Sequence, residues 1–214
     1  FNEDDSVQLT KRKVLEGHVL QRLMPEDALH IRGRHNSMNA LAALGLIYAA
    51  GLPISDALRA LAQYRGEPHR VEYVMTVNGV DYIDDSKGTN VGATVAALEG
   101  LGANGTKLVV ILGGDGKGQD FSPIADSMGK HARAAVLIGR DAPLIEKALQ
   151  GAEYPIIHAK DMPQAVQKAS ELAQPHDCVL LSPACASWDM FKDYAQRSAI
   201  FIASAKALAG DTQQ

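Results

Sequence analysis

The spacing of apolar residues changes near residue 66, and this change divides the chain into two predicted parts. Before it the pattern is helical, with apolar residues every three or four positions in two segments that each end at a glycine. Asn36 or Asn39 is the predicted cap of the first helix and Ser55 that of the second, because short polar side chains favour the position before a helix. The start of the chain is polar and weakly periodic, with Phe1 in place of Met, and we expect it to lie inside a longer protein.

Beyond residue 66 the apolar residues first alternate and then form continuous runs. The alternation at 71–77 and 80–82 flanks Asn78-Gly79, which predicts a β-hairpin with a type I′ turn. Four apolar runs follow, each a predicted strand, at 108–112, 135–139, 154–159 and 178–182. Helices are predicted between and after them, beginning near Pro123, Ala142, Asp161 and Trp188.

Continuous apolar strands separated by helices are typical of a mostly parallel sheet with both faces covered. The predicted fold class is therefore α/β, with a Rossmann-like, mostly parallel six-stranded sheet flanked by helices and one β-hairpin at its N-terminal end. The change of pattern places a domain boundary between Tyr64 and Arg70. We expect two domains, residues 1–66 and residues 67–214.

Composition and charge exclude several classes of protein. Hydrophobic residues make up 46% of the chain and charged residues 21%, as in ordinary globular proteins. The net charge is −4 and the basic residues are scattered, which argues against binding to nucleic acid. The apolar runs are too short to span a membrane. The two cysteines, Cys178 and Cys185, are not spaced as metal ligands and are typical of a protein in a reducing compartment. We therefore expect a cytoplasmic protein that binds neither nucleic acid nor membrane.

Three loops that follow predicted strands carry most of the candidate chemistry. We call them the first loop (DDSKGTN, 84–90), the second loop (GGDGKGQD, 113–120) and the third loop (SPACASWD, 182–189). Ligands of open α/β sheets bind at the carboxyl ends of the strands. The sequence therefore predicts that the three loops face one cleft.

The first loop combines carboxylates, a lysine and a hydroxyl before a predicted helix. Asp85 could hold a ribose hydroxyl, while Lys87 and Thr89 could hold an anion at the helix N-terminus. In the alternative interpretation, Thr89 or Asn90 only caps the helix and Lys87 is a solvated charge.

The second and third loops suit anions for different reasons. Glycines of the second loop let backbone amides approach an anion that Lys117 would attract, although Gly118 and Gln119 break the P-loop and dinucleotide fingerprints. In the third loop, Ser187 is the predicted cap of the last helix, and free amides there would suit a carboxylate. Trp188 would line the cleft or pack against the protein, as would Tyr194 further along the same predicted helix.

Two further pairs of residues are candidates for nucleotide binding. His69-Arg70 lies at the predicted domain boundary, where a guanidinium could clamp phosphate oxygens or simply be exposed. The side-chain amides of Asn36 and Asn39 could read an adenine edge or cap a helix.

Five ordered blocks of sequence together resemble the Mur ligase family. They are GRHNSMNALAA (33–43), GEPHRVE (66–72), DDSKGTNVGAT (84–94), LGGDGKG (112–118) and LLSPACASWDMF (180–191). The resemblance implies an ATP-dependent amide ligase of peptidoglycan synthesis, and it is strongest to members that join D-glutamate to UDP-N-acetylmuramoyl-L-alanine through an acyl phosphate. Residues 1–66 would be the tail of the central α/β ATPase domain, and residues 67–214 the C-terminal domain that binds the amino acid.

The resemblance also assigns roles to individual residues. It places on the nucleotide Asn36, Asn39, His69, Arg70 and Asp85. It places on D-glutamate Thr89, Lys117, Ser187, Trp188 and Tyr194, although relatives carry Leu and Phe at the last two positions. Lys87 and Arg70 would be catalytic. ATP and Mg²⁺ are the implied cofactors, with the metal ligands and P-loop upstream of this chain, so that the piece alone is expected to be an inactive monomer.

Two other functions remain open at this point. One is an ATP-dependent ligase of the same superfamily with a different amino-acid substrate. The other is a nucleotide-binding Rossmann module, either an oxidoreductase or a protein without catalytic activity.

Overall fold

A computed structural model describes residues 8–12, 20–31 and 33–211, and the chain divides into two compact units, Phe1–Gly66 and Glu67–Gln214. Within the described residues, no helix is both long enough and apolar enough to cross a membrane.

The first unit contains a strand pair that the sequence pattern did not predict. Strands β1 (Gln8–Arg12) and β2 (Leu20–Pro25) pair antiparallel, and a short 3-10 helix, Glu26–Ala28, follows. The strand residues are largely polar, so the alternation that would reveal a strand is weak.

The described part of the first unit also contains two helices, α1 (Arg34–Ala49) and α2 (Ile54–Gln63). The predicted caps of both were wrong. Helix α1 begins after Gly33, so Asn36 and Asn39 lie inside its first turns. Helix α2 begins after Pro53, which places Ser55 inside the helix. In both cases the turn at glycine or proline fixes the helix start before the polar side chain is reached.

The second unit opens with the predicted hairpin. Strands β3 (Glu72–Val77) and β4 (Val80–Asp84) pair antiparallel, with Val77 opposite Val80. Asn78 and Gly79 have φ angles of 51° and 78°. Two positive φ angles at the centre of a two-residue turn define type I′, so this prediction is confirmed.

Four more strands extend the hairpin into the predicted six-stranded sheet. They are β5 (Leu108–Gly113), β6 (Ala132–Ile138), β7 (Ile156–His158) and β8 (Cys178–Leu181). The order across the sheet is β3-β4-β8-β5-β6-β7, and every pair after the hairpin is parallel. The predicted α/β class and mostly parallel sheet are confirmed, although β7 is shorter than the predicted 154–159.

Helices cover both faces of this sheet. They are α3 (Val91–Gly102), α4 (Ser122–His131), α5 (Ala142–Ala148), α6 (Met162–Leu172) and α7 (Tyr194–Asp211). Leu108, Val110 and Leu112 of β5 pack in the cluster that includes α3, α4 and α5. Val109 and Ile111 point to the other face, in the cluster of α6 and α7. Alternation of fully apolar side chains between two covered faces explains the continuous runs in the sequence.

The last helix begins later than predicted. Residues 188–193 form turns and bends, and α7 starts at Tyr194, so Ser187 is not its cap. The side chain of Asp193 instead accepts a hydrogen bond from the backbone N–H of Gln196 at 2.7 Å. An aspartate in this position satisfies an amide that the helix itself leaves free.

Candidate functional site

The first, second and third loops meet at one edge of the sheet, as predicted. Strand β8 lies between β4 and β5 and runs parallel to both, so the loops that follow these strands leave from the same edge. The Ser182 hydroxyl donates to Oδ2 of Asp85 at 2.7 Å, which joins the third loop to the first. Asp115 and Ala186 exchange backbone hydrogen bonds of 2.9 and 2.8 Å, which joins the second loop to the third.

Asp85 is a buried carboxyl group at this edge, directly after β4. Besides the Ser182 hydroxyl, it accepts a hydrogen bond from the backbone N–H of Val71 at 3.3 Å. Burial raises the pKa of Asp85 to about 6 against the opposing effect of these hydrogen bonds. A Cβ atom on Gly88 would lie 2.4 Å from Oδ2 of Asp85, so the loop can wrap around the carboxylate only with glycine there.

Lys87, His69 and Tyr194 form a second group beside Asp85. The backbone N–H of Lys87 donates to the carbonyl of His69 at 3.0 Å. The Lys87 ammonium lies 5.3 Å from the centre of the Tyr194 ring, and the His69 ring meets the same ring edge-on at 5.8 Å. Tyr194 therefore contacts His69, which the resemblance assigns to the nucleotide, and Lys87, which it makes catalytic, in addition to its own predicted role with D-glutamate.

His69 also belongs to a group that could hold a metal ion. Its ligand atom and those of Glu72 and Asp84 lie within 4.8 Å of one another, and no other such group occurs among the described residues. Each of them already has a protein partner. Nδ1 of His69 lies 2.8 Å from Oδ2 of Asp84, the Ser198 hydroxyl donates to that same oxygen, and Glu72 accepts from the His69 backbone. Hydrogen bonding alone explains the arrangement.

The second loop presents Lys117 to solvent on a tightly held backbone. Lys117 has a positive φ of 54°, and its N–H donates to the side chain of Asp115 at 2.9 Å. A Cβ atom on Gly114 would lie 2.3 Å from the carbonyl oxygen of Ala186. Glycine is thus required where the second loop passes the third.

The third loop places a buried hydroxyl at the same edge. The Ser187 side chain is only 3% exposed, and its hydroxyl forms no hydrogen bond within the described part of the chain. A buried hydroxyl without a partner costs free energy, so this group is suited to a ligand atom. Trp188, by contrast, is 70% exposed and lies outside any helix.

The other predicted residues are placed as follows. Asn90 rather than Thr89 caps α3, accepting from the N–H of Ala93 at 2.9 Å. Arg70 is exposed. In the first unit, the side-chain amide of Asn39 donates to that of Asn36 at 3.4 Å.

Sequence reasoning missed Arg197, which lies at the base of the first and third loops. Its side chain is fully buried and donates to Ser86 and to the carbonyl of Cys185. One signal was present: Arg197 precedes buried Phe201 and Ala205 at intervals of four, so it falls on the apolar face of its helix.

Comparisons with known proteins agree on one family. A family model described as Mur ligase, glutamate ligase domain, matches residues 69–185. The chain is 58% identical over 206 residues to the UDP-N-acetylmuramoylalanine–D-glutamate ligase of Polaromonas sp. strain JS666, covering 96% of this chain and 35% of that protein. It is 58% identical over 190 residues to the ligase of the same name from Albidiferax ferrireducens, covering 89% and 37%. The chain thus spans about a third of the length of these relatives.

Solved structures share the fold at low sequence identity. The UDP-N-acetylmuramate-alanine ligase of Thermotoga maritima is 20% identical with a TM-score of 0.62, covering 84% of this chain and 39% of that one. The folylpolyglutamate synthase of Mycobacterium tuberculosis is also 20% identical with a TM-score of 0.62, covering 89% and 46%. At this identity the likeness concerns the fold alone.

Proposed function

Since this chain belongs to the Mur ligase family, we propose that the longer protein containing it is an ATP-dependent ligase that adds D-glutamate to UDP-N-acetylmuramoyl-L-alanine. The observation that carries the proposal is the 58% identity, over 96% of the chain, to a ligase named for that reaction. In this proposal residues 1–66 end the central ATP-binding domain and residues 67–214 bind the amino acid. The enzyme acts as a monomer in the cytoplasm, and its product serves peptidoglycan synthesis, cell shape and division.

The nucleotide lies against the first loop and the residues before β3. A carboxylate oxygen can accept two hydrogen bonds, so Asp85 retains capacity for a ribose hydroxyl beside its bonds to Ser182 and Val71. His69 and Arg70 flank the nucleotide, and Asn36 and Asn39 of the first unit contact its base.

D-glutamate lies against all three loops. The exposed Lys117 ammonium pairs with one substrate carboxylate. Thr89 and the Ser187 hydroxyl, which has no hydrogen-bond partner among the described residues, donate to the carboxylate oxygens. Trp188 and Tyr194 border this site. The buried hydroxyl of Ser187, which is without a partner in the part of the chain that the structure describes, is the feature that best supports an acceptor atom at this position.

The reaction proceeds in two steps. ATP transfers its terminal phosphoryl group to the carboxylate of UDP-N-acetylmuramoyl-L-alanine, and the amine of D-glutamate then attacks the acyl carbonyl and displaces phosphate. Lys87 and Arg70 offset the negative charge of the phosphoryl group, and the loops hold the amine in line with the carbonyl. Mg²⁺ neutralises phosphate charge when bound, and its ligands are proposed to lie upstream of this chain.

A panel of amino acids tests the substrate assignment. We expect the full-length protein, given ATP, Mg²⁺ and UDP-N-acetylmuramoyl-L-alanine, to release phosphate with D-glutamate and not with L-glutamate, L-lysine or diaminopimelate. Release with another amino acid would show a different ligase of the superfamily. No release with any of them would refute the proposed function.

The Lys117→Ala variant tests the predicted ion pair. We expect the KM for D-glutamate to rise roughly 10-fold or more, because a charge-assisted hydrogen bond is worth about 1.5–3 kcal/mol, while the KM for ATP changes little. Lys206→Ala removes an exposed lysine near the far end of α7 and serves as the matched control. An unchanged KM for D-glutamate would contradict the assignment of Lys117.

A further inference from the structure

Arg197 lies on α7 and forms hydrogen bonds to both the first loop and the third loop. Its Nε donates to the Ser86 hydroxyl at 2.9 Å and one terminal nitrogen donates to the Ser86 carbonyl at 2.6 Å. The other terminal nitrogen donates to the carbonyl of Cys185 at 3.0 Å. One planar guanidinium therefore fixes residues of two loops that are about 100 positions apart in the chain.

The burial of this side chain is difficult to explain by stability alone. Arg197 is fully buried, its three acceptors are neutral oxygens, and no carboxylate in the described ranges forms an ion pair with it. Desolvation lowers the pKa of Arg197 to about 10, so the group is still charged at neutral pH. Buried charges that lack a direct counter-ion are costly, and a well-packed apolar residue usually stabilises a fold at least as well.

The hydrogen bonds of Arg197 lead directly to the proposed ligand contacts. Ser86 lies between Asp85 and Lys87, and its N–H donates to the Asp84 carboxylate at 2.9 Å, which in turn holds the His69 ring. Cys185 lies two residues before Ser187. A shift of the guanidinium would thus move the nucleotide side and the D-glutamate side of the site together.

We propose that Arg197 is a positioning residue that sets the spacing between the nucleotide contacts of the first loop and the D-glutamate contacts of the third loop. This inference rests on the proposed function. It differs from a general role in folding because it requires that the affinities for two different substrates change together.

Kinetics of Arg197→Met and Arg197→Lys in the full-length enzyme test this role. With Met we expect the KM values for ATP and for D-glutamate to rise together, each roughly 10- to 100-fold, because misplacement of about 1 Å has effects of this size. Lys retains the positive charge but lacks the planar guanidinium with its several N–H donors. The Lys variant should therefore recover part of the lost affinity for both substrates.

Arg133→Met is the matched control. Arg133 pairs with Asp177 where β6 and β8 begin, at the edge of the sheet opposite the three loops. Its loss should lower the midpoint of thermal unfolding and leave both KM values unchanged. If Arg197→Met likewise leaves both KM values unchanged in the folded enzyme, Arg197 has only a structural role and the proposal fails.

A milder variant keeps the test decisive if Arg197→Met does not fold. Ser86→Ala removes one acceptor of Arg197 and the hydrogen bond from Ser86 to the Tyr194 carbonyl. We expect it to raise both KM values together, and a rise in neither would overturn the proposal. If the unsubstituted enzyme releases no phosphate with D-glutamate, the proposed function itself is wrong. If the enzyme is active but both KM values are insensitive to these substitutions, only the proposal for Arg197 is wrong.

Discussion

Replacing Asp85 with Asn should stabilise the fold at neutral pH while weakening nucleotide binding. The usual pKa of 3.8 is raised to about 6 in the folded protein, mainly by burial. A raised pKa means that the protonated carboxyl group favours the folded state. The stability that protonated Asp85 contributes to the folded state is fully present below about pH 4 and is lost as the pH rises through about 6.

The size of the effect follows from the pKa. Each tenfold change in the acid constant is worth about 1.4 kcal/mol, so the rise from 3.8 to about 6 corresponds to roughly 3 kcal/mol. Asn cannot ionise, and its oxygen can still accept from the N–H of Val71. Its amide can donate to the Ser182 hydroxyl, whose own proton can turn to the Thr94 hydroxyl 3.0 Å away. We therefore expect Asp85→Asn to raise the free energy of unfolding at pH 7.5 by up to about 3 kcal/mol.

Urea unfolding of the 214-residue chain, followed by circular dichroism from pH 5 to pH 8, measures this difference. The gap between Asp85→Asn and the unsubstituted chain should widen as the pH rises through about 6. Asp126→Asn removes an exposed carboxylate from α4 and controls for the change in net charge. Curves for Asp85→Asn and the unsubstituted chain that stay parallel over this range would refute the reasoning. In the full-length enzyme, the same variant should raise the KM for ATP.

Two further substitutions test local structure around the first loop. Gly88→Ala would bring a Cβ atom to 2.4 Å from Asp85, so we expect a loss of about 1–3 kcal/mol in the free energy of unfolding by urea, and no loss would contradict the described path of the loop. Asn90→Ala removes the cap of α3 and should cost about 1 kcal/mol in the same measurement, whereas Thr89→Ala, the matched control, should cost less.

The sequence determined the features that depend on near neighbours along the chain. Asn78-Gly79 specified a type I′ turn because both residues tolerate positive φ. The apolar runs specified buried strands, and the loops after them marked the edge that carries the candidate site. The caps were less certain: Asn90 was one of two residues offered for α3, and the caps predicted for α1 and α2 were wrong because Gly33 and Pro53 start those helices earlier.

Only the tertiary structure decided which loops touch. Strand β8 inserts between β4 and β5, although it follows them by many residues, and this order brings Ser182 onto Asp85. The buried Arg197 and its contact with Ser86, 111 residues away, could not be derived from local pattern either. Periodicity reports which face of an element is apolar, whereas strand order and the partners of a buried charge are set by contacts between distant segments that form only when the whole sheet assembles.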